Sequence, residues 1–133
     1  RYRSEAMCYS GACLTDDYID EWYNIYHLPK SAVAREKMKT LGPSQLEPSV
    51  DAAKLRVFAR IGEGTHDVPT LIHWGKNDPS APAHPDGLSV FDLLSENAPH
   101  VSLHVENRAG HFAFKEKPAP FNKLVKGFFE AID

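Results

Sequence analysis

Hydrophobic side chains in the first half of the chain recur at helical spacing. Thr15 is a favourable N-cap with two aspartates in the turn after it, and the apolar residues that follow share one helical face: Tyr18, Trp22, Ile25 and Tyr26. The Leu28-Pro29 step ends this predicted helix. The pattern therefore predicts an amphipathic helix with an aromatic face.

Two further helices are predicted before residue 62. Ser31 is expected to cap a second helix that runs to the Gly42-Pro43 step. Residues 42–49 contain two prolines and are predicted as a loop, and a third helix is predicted over Ala52–Ile61. The first part of the chain is thus expected to be helical.

Strand and helix patterns alternate in the second half. A β-branched and aromatic run over residues 68–75, bounded by Pro69 and Gly75, predicts a buried strand, and Leu88–Ser95 reads as a helix. Residues 101–105 alternate apolar and polar side chains and predict a second strand. The last helix carries one apolar stripe: Phe121, Leu124, Val125, Phe128 and Phe129.

This βαβα order predicts an α/β fold with a parallel sheet. Two strands alone do not form a stable sheet of this kind. Because the chain also begins with Arg1 and not with Met, we expect it to be part of a longer protein whose other strands complete the sheet.

Composition and charge exclude several classes of function. A hydrophobic content of 42% is enough for a packed core, and a net charge of −3 with scattered basic residues disfavours nucleic-acid and anionic-membrane binding. We find no apolar run of about 18 residues and no signal peptide, so a cytoplasmic protein is expected. Cys8 and Cys13 fit neither a redox pair nor a zinc knuckle, and two reduced thiols are favoured over a disulfide.

Two polar residues lie where chemistry is expected in a parallel sheet. Asp78 follows the first predicted strand and His111 follows the second, and ligands bind outside the carboxyl ends of such strands. An Asp before proline is also a common turn residue, and Gly-His is a common dipeptide. The two residues together, each after a strand, predict a carboxylate that orients an imidazole for proton transfer, with Gly75 and Gly110 allowing close backbone approach.

The second half of the chain also resembles a known family. The stretches VPTLIHWGKND, LHVENRAGHF and FNKLVKGFFE are similar to the end of an α/β-hydrolase. The resemblance implies that Asp78 is the acid and His111 the histidine of a catalytic triad whose chain order is nucleophile, acid, histidine. It also implies that residues 1–61 are the end of a helical cap and that residues 62–133 supply the last two strands and flanking helices of the core.

Within this family the chain most resembles the hydrolases of meta-cleavage products, which act on 2-hydroxy-6-oxohexa-2,4-dienoates. That group usually has an arginine before the cap tryptophan and a tryptophan after the histidine, where this chain has Glu21 and Phe112. Arg1, Arg3 and Arg35 are the candidates to substitute for this arginine. Phe112 is expected at the pocket wall, and Trp22 is either a pocket residue or part of the cap core.

The sequence has no nucleophile motif. G-x-S-x-G and HGGG stretches are both absent, so His111 is expected to serve a serine on a missing N-terminal half, and this chain alone is expected to be inactive. No cofactor motif occurs. A metal site is not expected either, because His100 and His104 flank a strand and would lie about 13 Å apart at ~3.3 Å per residue.

Three functions remain open at this point. The first is hydrolysis of a carbon–carbon bond in dienoate ring-fission products, and the second is an esterase or related activity of the same fold. The third is a non-catalytic binding protein built on a hydrolase fold. The expected ligand is a small, partly apolar molecule with an ester, ketone or vinylogous acid group, and the oligomeric state, including a homo-oligomer, is left open.

Overall fold

The computed structural model describes residues 5–132, without the side chains of residues 43–46. The chain divides into two compact units. We call residues 15–60 the helical unit, and residues 5–14 together with 61–132 the strand unit. The segment 5–14, which the sequence grouped with the helices, therefore lies with the strands.

The helical unit begins with α1 (Asp16–Tyr26), which is capped as predicted. The side-chain oxygen of Thr15 accepts a hydrogen bond from the backbone N–H of Tyr18. Helix α2 (Pro29–Leu41) begins two residues before the predicted Ser31 cap, because proline at the first helical position needs no N–H partner. The hydroxyl of Ser31 donates to the carbonyl of Ile25 instead, at 2.7 Å.

The predicted loop over residues 42–49 is wrong, because α3 spans Pro43–Gly62. Pro43 occupies the first helical position, where its missing N–H costs little. Pro48 lies inside the helix, where it removes one backbone hydrogen bond and crowds the carbonyl four residues earlier, a local cost that this 20-residue helix tolerates. Both prolines are therefore compatible with a helix that the composition of this segment disfavoured.

The strand unit contains a parallel pair of strands, β1 (Thr70–Gly75) and β2 (Val101–Glu106). Thr70 pairs with Val101 at one end and Gly75 with Glu106 at the other. Helix α4 (Leu88–Ser95) connects the strands, and α5 (Ala113–Glu116) and α6 (Pro118–Ile132) follow them. The predicted βαβα order is confirmed, and both strands end at the same edge of the sheet.

The core of the strand unit is small. Its buried hydrophobic residues come from the segment 5–14, β1, α4, the loop after β2 and α5, in the order Leu14, Ile72, Leu94, Ala109 and Ala113. Leu14 brings the segment before the helical unit into this core. Within the part of the chain that the structure describes, we find no helix with both the length and the apolarity needed to cross a membrane.

Candidate active site

The loops after β1 and β2 meet because the strands end in register. The N–H of Lys76 donates to the carbonyl of Glu106 at 2.9 Å, which extends the parallel ladder beyond Gly75. One residue further on, the N–H of Asn77 donates to the carbonyl of Ala109 at 2.8 Å. These bonds fix the backbone of both loops just before their functional side chains.

Gly75 and Gly110 are required for this close approach. A Cβ atom on Gly75 would overlap the carbonyl of Gly110 and lie 2.7 Å from that of Ala109. A Cβ atom on Gly110 would overlap the carbonyl of Met7 and lie 2.7 Å from the backbone nitrogen of Tyr9. The close backbone paths predicted at both glycines are confirmed.

Asp78 and His111 form a direct contact. Nδ1 of His111 lies 2.8 Å from Oδ2 of Asp78. The Asp78 side chain is only 7% exposed, whereas that of His111 is 45% exposed. The predicted contact is present, with a buried acid behind an imidazole that reaches solvent.

Ser80 joins this pair and was missed from the sequence. Its N–H and its hydroxyl both donate to Oδ1 of Asp78, at 2.8 and 2.7 Å, and its hydroxyl oxygen lies 3.1 Å from Nδ1 of His111. The N–H of Ala81 is a further donor to Oδ1 at 3.2 Å. The Asp-Pro-Ser sequence was the available signal, because an aspartate often accepts from the N–H two residues on.

These hydrogen bonds determine the charge state of Asp78. Burial raises the pKa of its carboxyl, but hydrogen bonds from Ser80, His111 and Ala81 outweigh burial, so the pKa lies below the ordinary value of 3.8. Asp78 is therefore ionised at neutral pH and acts only as an acceptor. The proton of a neutral His111 is then held on Nδ1, and Nε2 carries the lone pair that can accept a proton.

A cavity of about 230 Å³ lies beside the pair. Its lining includes both functional residues and side chains from β1 and α5: His73, Trp74, Gly75, Asp78, Ala81, His111, Ala113 and Phe114. The indole N–H of Trp74 donates to the carbonyl of Ala81 at 2.8 Å and so closes the loop that carries Asp78. This volume is slightly below the usual range for small-molecule pockets.

Phe112 and Phe114 have different positions at this site. Phe112, the predicted wall residue, packs edge-on against the His111 ring, with centroids 5.3 Å apart. Phe114 lines the cavity itself and is 45% exposed. The contact of Phe112 supports the orientation of the imidazole, and its substrate-binding role stays a prediction.

The segment before the helical unit supports the histidine loop from behind. The N–H of His111 donates to the carbonyl of Met7 at 2.8 Å. The carboxylate of Glu116 accepts from the N–H groups of both Ser10 and Gly110, at 2.9 and 2.7 Å. The contacts of Met7 and Ser10 could not be predicted from the sequence, because each joins residues more than one hundred positions apart, 106 for Ser10 and Glu116.

The two cysteines also lie in this supporting segment. Sγ of Cys8 is 3.5 Å from Sγ of Cys13, so the two thiols form a hydrogen bond but no disulfide. Burial, followed by the hydrogen bond and charge of Cys13, raises the pKa of Cys8 to about 12. Cys8 is therefore a protonated thiol at neutral pH and a poor nucleophile.

The remaining predicted substrate residue lies in the helical unit. Trp22 on α1 contacts the ring of Tyr18 and is 54% exposed, so it is not part of a buried cap core in the described residues. Arg35 places its guanidinium 3.8 Å above the ring of Tyr26 and donates to the carbonyl of that residue. Arg1 and Arg3 lie outside the described residues, and the substrate-binding role of Trp22 stays a prediction.

One group of potential metal ligands was also missed. Among the described residues, His73, His104 and Glu106 place one ligand atom each within 4.8 Å of one another. From the sequence, only His100 was considered as a metal-binding partner for His104. The actual neighbour is across the sheet, because His73 and His104 are register partners.

Curated relatives can be matched to this chain over about half of its length. A 2-hydroxy-6-oxononadienedioate/2-hydroxy-6-oxononatrienedioate hydrolase 2 of Pseudomonas putida is 41% identical over 81 residues, which are 59% of this chain and 27% of the relative. A hydrolase of the same name from Cupriavidus pinatubonensis is 36% identical over 70 residues, 53% of this chain and 22% of the relative. Hydrolase 1 of Pseudomonas putida is 35% identical over 79 residues, 58% of this chain and 26% of the relative.

The chain is similar to meta-cleavage product hydrolases. This similarity confirms the resemblance seen in the sequence, and the parallel strands with their helices confirm an α/β fold class that is consistent with the C-terminal part of an α/β-hydrolase. No protein-family model matches the chain. The matches span about a quarter of the length of these hydrolases.

Proposed function

We propose that this chain supplies the acid and the histidine of a serine-type α/β-hydrolase that cleaves a carbon–carbon bond in dienoate ring-fission products. The observation that carries the proposal is the 2.8 Å contact between Asp78 and His111 at the carboxyl ends of two parallel strands. The similarity to relatives named as dienedioate hydrolases supports the substrate class.

In this proposal His111 transfers protons. Its Nε2 removes the proton of a serine hydroxyl carried by another segment of the complete protein, and later returns a proton to the leaving group. The imidazolium that forms in between is stabilised by Asp78, whose ionised carboxylate holds Nδ1. Without that serine, this chain alone has no attacking group and is inactive.

The hydrogen bonds around Asp78 hold it in a fixed position for this role. One carboxylate oxygen is held by Ser80 and Ala81, and the other faces the imidazole. His111 therefore keeps one tautomer and one orientation through the reaction. The mostly apolar cavity beside it, with Phe114 in its wall, suits a small and partly apolar substrate.

The test compares variants of the complete protein that carries this chain. His111→Ala should lower turnover of a 2-hydroxy-6-oxo-dienoate by at least about 10³-fold, because the general base is lost. His100→Ala is the matched control, since His100 precedes β2 at the end of the strand remote from His111. Undiminished turnover in His111→Ala would reject the triad and favour a non-catalytic binding role.

A second substrate separates the two catalytic alternatives. The wild-type protein should turn over the dienoate far faster than p-nitrophenyl esters of similar size. Faster ester turnover, lost in His111→Ala, would retain the triad but identify an esterase. Glu21 stands where the related hydrolases usually have an arginine. The comparison therefore also tests whether a substrate with a carboxylate is accepted without that arginine.

A further inference from the structure

The side chains of His73, His104 and Glu106 converge on one face of the strand pair. His73 on β1 and His104 on β2 are register partners, and their rings stack with centroids 5.6 Å apart and planes 6° apart. Glu106 lies two residues after His104, so both project from the same face of β2. The parallel register therefore brings two imidazoles and one carboxylate together.

The spacing of these groups fits a transition metal. Nε2 of His104 lies 3.4 Å from Oε2 of Glu106, and one ligand atom from each of the three residues lies within 4.8 Å of the others. A tetrahedral zinc ion with bonds of about 2.0–2.1 Å separates its ligand atoms by about 3.4 Å. The His104–Glu106 pair already has this spacing, and the ligand atom of His73 lies within 4.8 Å of both partners.

The polar surroundings of His73 are incomplete. Its Nε2 atom is buried and has no hydrogen-bond partner among the described residues. Phe121 of α6 packs edge-on against the same ring, with centroids 5.1 Å apart, and offers no polar group. Buried polar atoms without a partner are uncommon, and a bound ion is one of their ordinary explanations.

The site is also accessible from solvent. The side chain of His104 is 44% exposed, whereas that of Glu106 is 16% exposed. An ion can therefore reach the cluster and be partly enclosed by it. Three protein ligands leave one position of a tetrahedral ion for water.

We propose that His73, His104 and Glu106 form a binding site for a divalent transition metal, with zinc as the best match. Two imidazoles and one carboxylate suit zinc and its neighbours in the first row, whereas calcium and magnesium prefer sites made only of oxygen. The site is separate from the proton transfer at His111, although His73 also lines the cavity beside that residue. Its existence does not depend on the proposed hydrolase function.

Zinc titration tests this proposal on the complete protein that carries this chain, after treatment with a chelator. The intact chain should bind one Zn²⁺, and His104→Gln and Glu106→Gln should each weaken binding by at least about tenfold. His100→Gln is the matched control: it removes a histidine that packs on Phe128 and lies outside the cluster, and its affinity should equal that of the unaltered chain. His104 and Glu106 are chosen because substitution there leaves the half-buried ring of His73 and its contact with Phe121 in place.

Two spectroscopic measurements complete the test. Co²⁺ should give visible d–d absorption of a tetrahedral nitrogen and oxygen site in the intact chain, and Glu106→Gln should lose it. Zinc should raise the melting temperature of the intact chain more than that of His104→Gln. Equal zinc affinity in His104→Gln and His100→Gln, or no bound zinc in the intact chain, would overturn the proposal and leave a metal-free His–Glu contact.

Discussion

Asp78 receives four hydrogen bonds through a single carboxylate. Two come from Ser80, one from the N–H of Ala81 and one from Nδ1 of His111. Because the side chain is almost fully buried, these bonds replace the water that an exposed aspartate would have. The same contacts that orient His111 therefore also contribute to the stability of the fold.

The stability of the strand unit should depend on the ionisation of Asp78. Its pKa is lowered in the folded protein, so its stabilising effect is complete above about pH 3.8 and is lost as the pH falls through the lower folded value. Asp78→Asn should cost about 2 kcal/mol at neutral pH and should flatten the loss of melting temperature as the pH falls below about 4.

Thermal denaturation across this pH range measures the effect. Ser80→Ala is a graded comparison, because it removes one of the donors and keeps the contact with His111. It should show an intermediate loss at neutral pH. Parallel pH profiles in the unaltered protein and in Asp78→Asn would contradict the expected role of the carboxylate.

Some residues of the site could be predicted from the sequence, and others could not. Asp78 and His111 could be identified because each follows a predicted strand, and parallel strands bring their ends together. Ser80 acts through a local turn that the Asp-Pro-Ser sequence allows but does not require. The contact of His73 with His104 depends on strand register, which a sequence without its partner strands does not determine.

At the level of elements, the site depends on two loops that cross at contact distance. Backbone bonds from Lys76 and Asn77 hold the first loop against the second, and Gly75 leaves no room for a side chain at the crossing. The strands and the last helix were predictable from periodicity. The second half of helix α3 was also predicted, as the helix over Ala52–Ile61. Its first half was not, because its two prolines were interpreted as loop residues.

Gly75→Ala should separate the two loops. The new methyl group would overlap the carbonyls of Gly110 and Ala109, so the backbone must move, at a cost of about 3 kcal/mol. Gly127→Ala is the control, because a Cβ atom at that helical position meets nothing within 4 Å. It should instead stabilise the protein by about 0.5–1 kcal/mol.

Urea denaturation midpoints of the two glycine variants provide the comparison. The prediction requires opposite directions, with Gly75→Ala unfolding at lower urea and Gly127→Ala at higher urea than the unaltered chain. If both variants unfold at the same concentration, the crossing of the loops is less restrictive than the backbone distances indicate.

At the level of the whole molecule, much apolar surface is exposed in the described residues. In the strand unit the exposed side chains include Val105, Phe114 and Phe129, the last of them 57% exposed. In the helical unit α1 and α2 have no buried residue. In the described residues the sheet has two strands, so each strand pairs on one side only, and a stable sheet of this kind requires more strands.

The isolated chain should therefore bind the hydrophobic dye ANS and unfold with low cooperativity. In a polypeptide that also carries the proposed nucleophile segment, the dye fluorescence should fall and the thermal transition should sharpen. Differential scanning calorimetry with ANS titration measures both. A sharp transition without dye binding in the isolated chain would show that the exposed faces need no further cover.

The hydrogen bond from His111 to Met7 has a practical consequence for dissecting this molecule. A polypeptide started at Asp16, where the first long helix begins, would keep both strands and both polar side chains of the site. It would nevertheless lose the Met7 carbonyl, which accepts the hydrogen bond from the N–H of His111. It would also lose the backbone of residues 7–9, which packs against Gly110. Removing the N-terminal segment should thus disturb an imidazole that lies near the opposite end of the sequence.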